Sequence, residues 1–449
     1  MSDLLSIGAS GVRAYQSALT TTSDNIANAA TPGYARRTAT LTEVSASSGR
    51  YSNSNVASGN GVAVFGINRA ADEIRSTAVR ASGADLARTE TSIVWLTGIE
   101  SALSGNQLND RLASFFNAAK SVAADPTAST PRAAFLESST SVGNAFAATA
   151  RSLDQITADL DSTAETAVSS LETLGNALAK INKGLGSATP NSTAKAQLLD
   201  QRDQVLEQLS ALSDVGVSFD SSGRASVSLG GATGPGFVTT GGDVGSVTYV
   251  RAPSGNVSFA VFLNGAASSL SPNGGALAGI AEGGQRIGAA RTELNRIATD
   301  FVDGVNAVQA GGRDLDGNPG APLFAVGAAP TDISLALSSG RGIAAAAVGG
   351  GPRDNANLTA LQALRTSGAF EADAAGLVAN NATALNQRHT VSDAQNAIRE
   401  GAIIARDQLI GVNLDSEAVD LLRFQQAYQA SSRVIQVARE TFQSILDIR

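Results

Sequence analysis

The sequence predicts a mainly α-helical protein in which both chain ends build a long helical bundle or coiled coil, with a small β-rich domain inserted mid-chain. Three observations carry this. Aromatic residues make up only 4% of the 449 residues, while Ala, Ser and Thr are abundant and helix breakers are sparse over long intervals. Such a composition suits slender helices better than a bulky globular core. Apolar residues recur every seven positions at both ends and twice between them, the period of a coiled-coil seam. From residue 214 to about 275 the period changes to two, which is a strand pattern.

At the N-terminus, Leu5, Val12, Leu19 and Ile26 fall seven apart and predict a helix with an apolar seam. The pattern halts at Thr31, Pro32, Gly33 and Tyr34. Pro32 disfavours helix at Thr31 and suits the second position of a turn, and Gly33 supplies the positive φ that a type II turn needs next. We read these four residues as an exit bend. Residues 1–60 are then the N-terminal part of a terminal helical domain and its exit segment. The first part of a helical bundle follows at 61–213, with shorter helices at about 72–104, 107–123 and 193–212. Its longest element carries Phe146, Leu153, Leu160, Ala167, Leu174 and Ile181, entered after Pro131 and closed by "KGLG" at 183–186.

Residues 214–276 read as the inserted, outer β-rich domain: "VSFDSSGRASVSL" and "SVTYVRAPSGNVSFAVFL" alternate around turns, and Asn264-Gly265 is a strong hairpin dipeptide. A return helix at 277–310 bears Ile280, Ile287, Leu294, Phe301 and Val308, and ends at Gly311-Gly312. The glycine-rich stretch 311–353 is irregular and is expected near the β-rich domain. Residues 354–410 complete the bundle, with a helix at about 372–411. The C-terminal part of the terminal domain, 411–449, has Leu414, Leu421, Tyr428, Ile435 and Phe442 seven apart, with Phe424, Ala438 and Ile445 three positions after three of them. Matching seams at the two ends allow the ends to meet while the middle projects away, giving a rod. The internal ladders are expected to be buried in their own bundle. The terminal ones, Leu5, Val12, Leu19, Ile26, Leu414, Leu421, Phe424, Tyr428, Ile435, Phe442 and Ile445, are the candidate assembly residues, since long apolar stripes at chain ends mark a partner surface.

Little in the sequence points to catalysis. A formal net charge of −8 and a pI near 4.9 argue against nucleic acid or an acidic membrane surface as partner, and Arg36-Arg37 is too short for a nucleic-acid patch. No apolar run approaches the roughly 20 residues of a membrane span, and Asp3 stands where a secretory signal carries Lys or Arg. Neither membrane insertion nor a cleavable signal is expected. With no cysteine and one histidine, thiolate and HExxH zinc sites are excluded, and a Ser-His-Asp triad would have to use His389, which lies in a polar helical stretch. Phosphate-binding glycine motifs are missing. "RDLDGNPG" at 313–320 has Asp314, Asp316 and Asn318 alternating as in a calcium loop, but Pro319 stands where that loop needs glycine and Ala325 where it needs glutamate. A plain Asx-rich turn is the expectation. No catalytic residue, cofactor or metal is assigned.

The string "SDNIANAATPGYARR" (23–37) closely resembles the N-terminal motif shared by bacterial flagellar rod, hook and hook-associated proteins. "GVNLDSEAVDLLRFQQAYQASSRVIQVARETFQSILDIR" (411–449) looks like the C-terminal signature of the hook-associated protein 1 family, the hook–filament junction proteins. Pieces at 59–75, 114–136 and 305–324 resemble the same family, whereas 214–275 does not, and the chain is short for it, so a reduced outer β-domain is expected. The resemblance implies a non-enzymatic subunit forming a ring-like section of tube between hook and filament. It implies further copies of itself, the hook protein and a second hook–filament junction protein as partners. It also implies export through the flagellar type III channel to the extracellular flagellum, with the segment at roughly 411–449 held by a dedicated export chaperone. A neighbouring axial component such as hook protein or flagellin is the alternative, and a secreted hydrolase using acidic residues of the β-insert a remoter one. The few aromatics oppose the hydrolase, since carbohydrate pockets usually offer stacking faces.

Overall fold

The computed structural model describes residues 2–44 and 60–447. Residues 45–59 of the expected 1–60 segment, the last of them also the first of the 59–75 piece, therefore lie outside the described residues, as do residues 1 and 448–449. Helix α1 (Ser2–Ala27) leads through the bend into a two-stranded antiparallel ribbon, β1 (Arg37–Glu43) with β2 (Val62–Arg69). The helical body follows: α2 (Glu73–Gly105), α3 (Leu108–Ala124), α4 (Ser129–Ser187) and α5 (Thr193–Leu212). Six strands come next, β3 (Val215–Phe219), β4 (Ala225–Leu229), β5 (Gly236–Val238), β6 (Ser246–Arg251), β7 (Val257–Leu263) and β8 (Ala266–Leu270), then α6 (Gly275–Ala310). Four short strands, β9 (Gly312–Arg313), β10 (Phe324–Val326), β11 (Ile333–Leu335) and β12 (Ala346–Ala347), precede α7 (Ala356–Gly368), α8 (Phe370–Ile410) and α9 (Leu414–Leu446). The protein is thus mainly helical, with long terminal helices and small antiparallel sheets.

Local chemistry explains the helix starts. Asp72, Ser192 and Asn413 cap α2, α5 and α9 by accepting the backbone N–H of Arg75, Lys195 and Ser416 at 2.9, 3.2 and 3.1 Å. Helix α4 runs 59 residues, about 88 Å at the α-helical rise. Pro131 sits in its first turn, where a missing N–H removes no intrahelical bond. Phe146, Leu153, Leu160 and Ala167 of its ladder are buried, and so are Ile280, Ile287, Leu294 and Phe301 of α6. The scarce aromatics are concentrated rather than spread: Phe115 packs on Phe116, Phe135 and Phe301 at centroid distances of 5.0–5.1 Å, and Phe301 on Phe324 and Phe370 at 5.5 Å. One end of the bundle therefore has a bulky core.

Two expectations of layout are corrected. The β-rich stretch does not stand apart. Its two three-stranded sheets, β3-β4-β5 and β6-β7-β8, turn Val227, Leu229, Phe237, Val247, Phe259 and Val261 into the same core as α4, α5 and α6. Polar contacts fix them there. The Asn182 amide donates to Ala225 O (2.8 Å) and accepts from Ala225 N (2.9 Å), and Asp161 accepts from Tyr249 Oη (2.6 Å) and Arg251 Nε (2.7 Å). Those donors, Arg251 first, hold the Asp161 carboxyl below its ordinary range against its own desolvation. A three-stranded sheet cannot cover its own apolar face, and the C-terminal half of α4 has an apolar face to offer. Period alone revealed the strands but not what they lean on.

The glycine-rich stretch 311–353, expected near the β-rich region, lies at the other end of α4. The Arg132 guanidinium, fully buried, donates to Pro126 O, Gly340 O and Ile343 O at 2.6, 2.8 and 2.9 Å. A Cβ on Gly143 would come within 2.8 Å of Ile333 O. The β6–β7 sheet instead reaches α4 at Asp161, about 27 Å further along the helix. Irregular segments carry no period from which a docking site can be read.

Candidate assembly joint and terminal helices

The two terminal helices pair antiparallel, with Gly8 of α1 against Ser431 and Ile435 of α9 and Asn25 against Glu417. The face α1 buries is made of small and polar residues: Gly8, Gly11, Ala14, Ala18, Thr21, Thr22 and Asn25. A Cβ on Gly8 would lie 2.7 Å from Ile435 Cγ1 and one on Gly11 2.6 Å from Ser431 Oγ, so the glycines set the close approach of the helices. From α9, Glu417, Leu421, Phe424, Tyr428, Ser431, Ile435 and Ala438 share one seven-residue face. Leu421, Phe424, Tyr428 and Ile435 are half-buried on it, while Leu414, Phe442 and Ile445 are exposed. The N-terminal ladder is placed differently: Leu5, Val12 and Leu19 are half-buried and Ile26 is exposed. They run along the flank of α1, roughly a quarter turn from the buried stripe by helical geometry.

A second apolar row remains uncovered on α9. Val419, Leu422 and Val437 lie on the side turned away from α1, with Val434 on the flank between, and Val419 and Val437 are 66% and 60% exposed. Ile398, Ile404 and Leu409 of α8 are exposed as well. A helix apolar on two opposite faces has one face too many for a two-helix pair.

Where the terminal pair meets the body, the motif at 23–37 becomes a joint. The chain turns at Thr31–Tyr34, with Gly33 at φ 75° and Tyr34 N–H donating to Thr31 O at 3.1 Å. Gln204 of α5 donates to Pro32 O at 2.8 Å, fixing the bend to the body. Asn25, 1% exposed, uses its whole amide. It accepts from Arg37 N–H and Tyr34 Oη, both at 3.0 Å, and donates to Arg37 O at 2.7 Å and Glu417 Oε2 at 2.9 Å. Burial raises the Tyr34 hydroxyl above the usual tyrosine range, with the Arg37 guanidinium opposing it. Arg36 reaches back to α9, donating to Glu417 Oε1 at 2.6 Å and Asp420 Oδ2 at 3.3 Å. Arg37 turns the other way and donates to Asp200 Oδ2 on α5 at 2.6 Å. Arg69, opposite Arg37 in the ribbon, donates to Asp200 Oδ1 and Asp203 Oδ2 at 2.6 and 2.8 Å. The consecutive arginines thus clamp the terminal pair with one side chain and the body with the other. Sequence reasoning found the bend but missed Asn25, Glu417, Asp200, Asp203 and Arg69 as its fixings. Their separation along the chain leaves no local signal.

Other candidates have plain placements. His389 is exposed on α8. Asp314 accepts from the backbone N–H of Asp316 and Asn318 at 2.9 and 2.8 Å, closing its own turn, and Asp316 pairs with Arg341. Among the described residues no cluster of three or more His, Asp or Glu is placed to hold a metal ion, and no helix is long and apolar enough to cross a membrane.

Comparison with known proteins meets this geometry element by element. The family model for the flagellar hook-associated protein FlgK helical domain matches residues 96–324, more than half of the chain. The chain belongs to the flagellar hook-associated protein FlgK family. That family is a structural flagellar one, as the strings at 23–37 and 411–449 led us to expect. The family model for flagella basal body rod protein matches 5–34, which is α1 and the bend, and that for the flagellar basal body rod FlgEFG protein C-terminal region matches 410–448, which is α9. The chain is 27% identical over 352 residues to flagellar hook-associated protein 1 of Salmonella typhimurium, covering 73% of this chain and 60% of that one. It is 24% identical over 485 residues to flagellar hook-associated protein 1 of Bacillus subtilis, covering 97% and 96%. The chain thus spans about three fifths of the Salmonella relative and nearly all of the Bacillus one. The solved structure of the flagellar hook junction protein FlgK from Burkholderia pseudomallei shares the fold, with a TM-score of 0.50 at 23% identity over 56% of this chain and 47% of that one.

Proposed function

We propose that this chain is a structural, non-enzymatic subunit of the bacterial flagellum that joins hook to filament as a section of the axial tube. The observation that carries the reading is the two-faced α9. One apolar row covers α1 within the subunit, and the opposite row, Val419, Leu422 and Val437, remains for a neighbour. Contact between unlike surfaces of successive copies repeats from subunit to subunit and builds a ring or helical section of tube rather than a closed dimer. In this reading the flank row Leu5, Val12, Leu19 and Ile26, together with Leu414, Phe442 and Ile445, joins neighbouring subunits. Leu421, Phe424, Tyr428 and Ile435 hold the pair to which they attach. The hook protein borders the section on one side and a second junction protein on the other. The subunit leaves the cell through the flagellar type III channel with its C-terminal segment, roughly 411–449, held by an export chaperone. The turn at Thr31–Tyr34 carries the chain from the inner helical pair to the outer body. Electron microscopy of cells lacking the gene tests this: hooks should form and stand bare. Normal filaments on those hooks would refute it.

A further inference from the structure

Three Asn-Gly dipeptides occur in the chain, at 60–61, 264–265 and 273–274, and the fold treats them unequally. An asparagine followed by glycine can cyclise: the glycine main-chain nitrogen attacks the asparagine Cγ, and the side-chain nitrogen departs as ammonia. Water then opens the succinimide at either carbonyl, leaving aspartate or isoaspartate. No electrons are exchanged. The step requires the Asn-Gly peptide to rotate, so backbone hydrogen bonds and close packing at the pair oppose it.

At 273–274 the backbone is held. Asn273 N–H and Gly274 N–H, the latter the would-be nucleophile, both donate to Asp214 Oδ1 at 3.1 and 3.3 Å, and Gly274 O accepts from Asp214 N–H at 3.2 Å. Gly274 is buried against Ala84, with 3.2 Å from its would-be Cβ to that methyl. At 60–61 the pair is pinned from both sides. Asn60 N–H donates to Val44 O at 3.0 Å, Gly61 O accepts from Val44 N–H at 2.9 Å, and a Cβ on Gly61 would run into Ser10 Oγ of α1.

Asn264-Gly265 is the opposite case. It forms the two-residue tip of the β7–β8 hairpin, at φ 52° and 80°. Both residues are exposed, as are the first four residues of β8 behind them. Nothing lies within 4 Å of the space a Gly265 Cβ would fill. The Asn264 amide makes no side-chain hydrogen bond among the described residues, and Gly265 N–H is likewise unbonded there. The turn is therefore defined by its own dihedral preferences, and only the Leu263–Ala266 pair that closes it opposes rotation.

We propose that Asn264 is a site of spontaneous deamidation in the folded protein, selected over Asn60 and Asn273 by the fold rather than by the dipeptide. Aspartate there adds a negative charge at the hairpin tip. Isoaspartate also reroutes the main chain through the side-chain carbon, lengthening a two-residue turn and loosening the Leu263–Ala266 pair it closes. The test is peptide mapping by mass spectrometry of the full chain, incubated folded at mildly alkaline pH and, in parallel, in denaturant. In the folded sample the peptide containing residue 264 should gain the mass of an amide-to-acid exchange and split into two chromatographic forms. It should do so roughly tenfold or more faster than the peptides containing 60 and 273, whose reaction awaits local opening. In denaturant the three should react at comparable rates. Retention of the amide at 264 in the folded chain, equal rates at all three sites there, or the same preference for 264 after unfolding would each overturn the proposal.

Discussion

Asn25→Asp changes one nitrogen to oxygen at the centre of the joint and keeps the shape. The wild-type amide donates to Glu417 Oε2 at 2.9 Å and to Arg37 O at 2.7 Å. In the variant both donations become contacts between acceptors, a loss of about 1 kcal/mol each in net terms. Two carboxylates at 2.9 Å repel by about 6 kcal/mol at an effective dielectric near 20, and Arg36, already bound to Glu417 at 2.6 Å, offsets only part of that. The net cost is about 4 kcal/mol. The aromatic cluster around Phe301 shares no side chain with the joint, so its stability should hold. Amide exchange followed by mass spectrometry should show α1 and α9 losing protection while α3, α4 and α6 keep theirs. The pH dependence has a definite sign. Repulsion raises the folded-state pKa of the carboxyl introduced at position 25 above its unfolded value, so the variant is least impaired below the unfolded carboxylate range and loses stability as pH rises through the raised value. Unchanged protection of α1 and α9 at neutral pH, or no recovery on acidification, would refute the assignment of Asn25 as the joint's central fixing.

Other perturbations separate the remaining claims. Gly33→Ala puts a side chain at φ 75° and within 2.6 Å of Gln204 Nε2, and should cost about 1–2 kcal/mol, read as a lower melting temperature with faster exchange at 31–36. Phe237→Ala empties a site in the core shared by β5 and α4, where Phe237 is 0% exposed. It should cost about 3–5 kcal/mol and lower the melting of the helical body itself, whereas a free-standing insert would melt alone. Val437→Asp, at 60% exposure, should leave monomer melting within about 0.5 kcal/mol and yet abolish filament attachment in cells. Gly8→Val drives a branched side chain into Ile435, whose Cγ1 lies 2.7 Å from the would-be Cβ. It should cost about 1–3 kcal/mol, seen as lost protection along α1 and α9.

The ladders from Phe146 to Ile181 and from Ile280 to Val308 were legible because large apolar residues at a fixed period report a buried face wherever the partner comes from. The strands from Val215 to Leu270 were legible for the same reason at period two. The stripe that α1 buries was not, because Gly8, Gly11, Ala14 and Ala18 carry almost no hydrophobic signal and act through the close approach they permit. The eye is drawn instead to Leu5, Val12 and Leu19, one flank away. The bend could be read from Pro32 and Gly33, since φ preferences are local. What Arg36 and Arg37 bind could not: Glu417 and Asp200 are brought to them by the tertiary fold, and a salt bridge has no sequence spacing. The location of 311–353 was invisible for a related reason. Arg132 holds that segment by two main-chain carbonyls, Gly340 O and Ile343 O, and every residue type supplies those.

The claim that the outer row of α9 is a subunit contact can be measured on one side chain. The chain has no cysteine, so Val437→Cys places a single thiol on that row. Its reaction with a maleimide is then compared between the purified monomer and flagella isolated from motile cells that carry the variant. The thiol should react readily in the monomer, where Val437 is exposed, and be protected in intact flagella, becoming reactive again when they are dissociated. Equal reactivity in monomer and intact flagella would contradict an account in which assembly covers the outer face of α9.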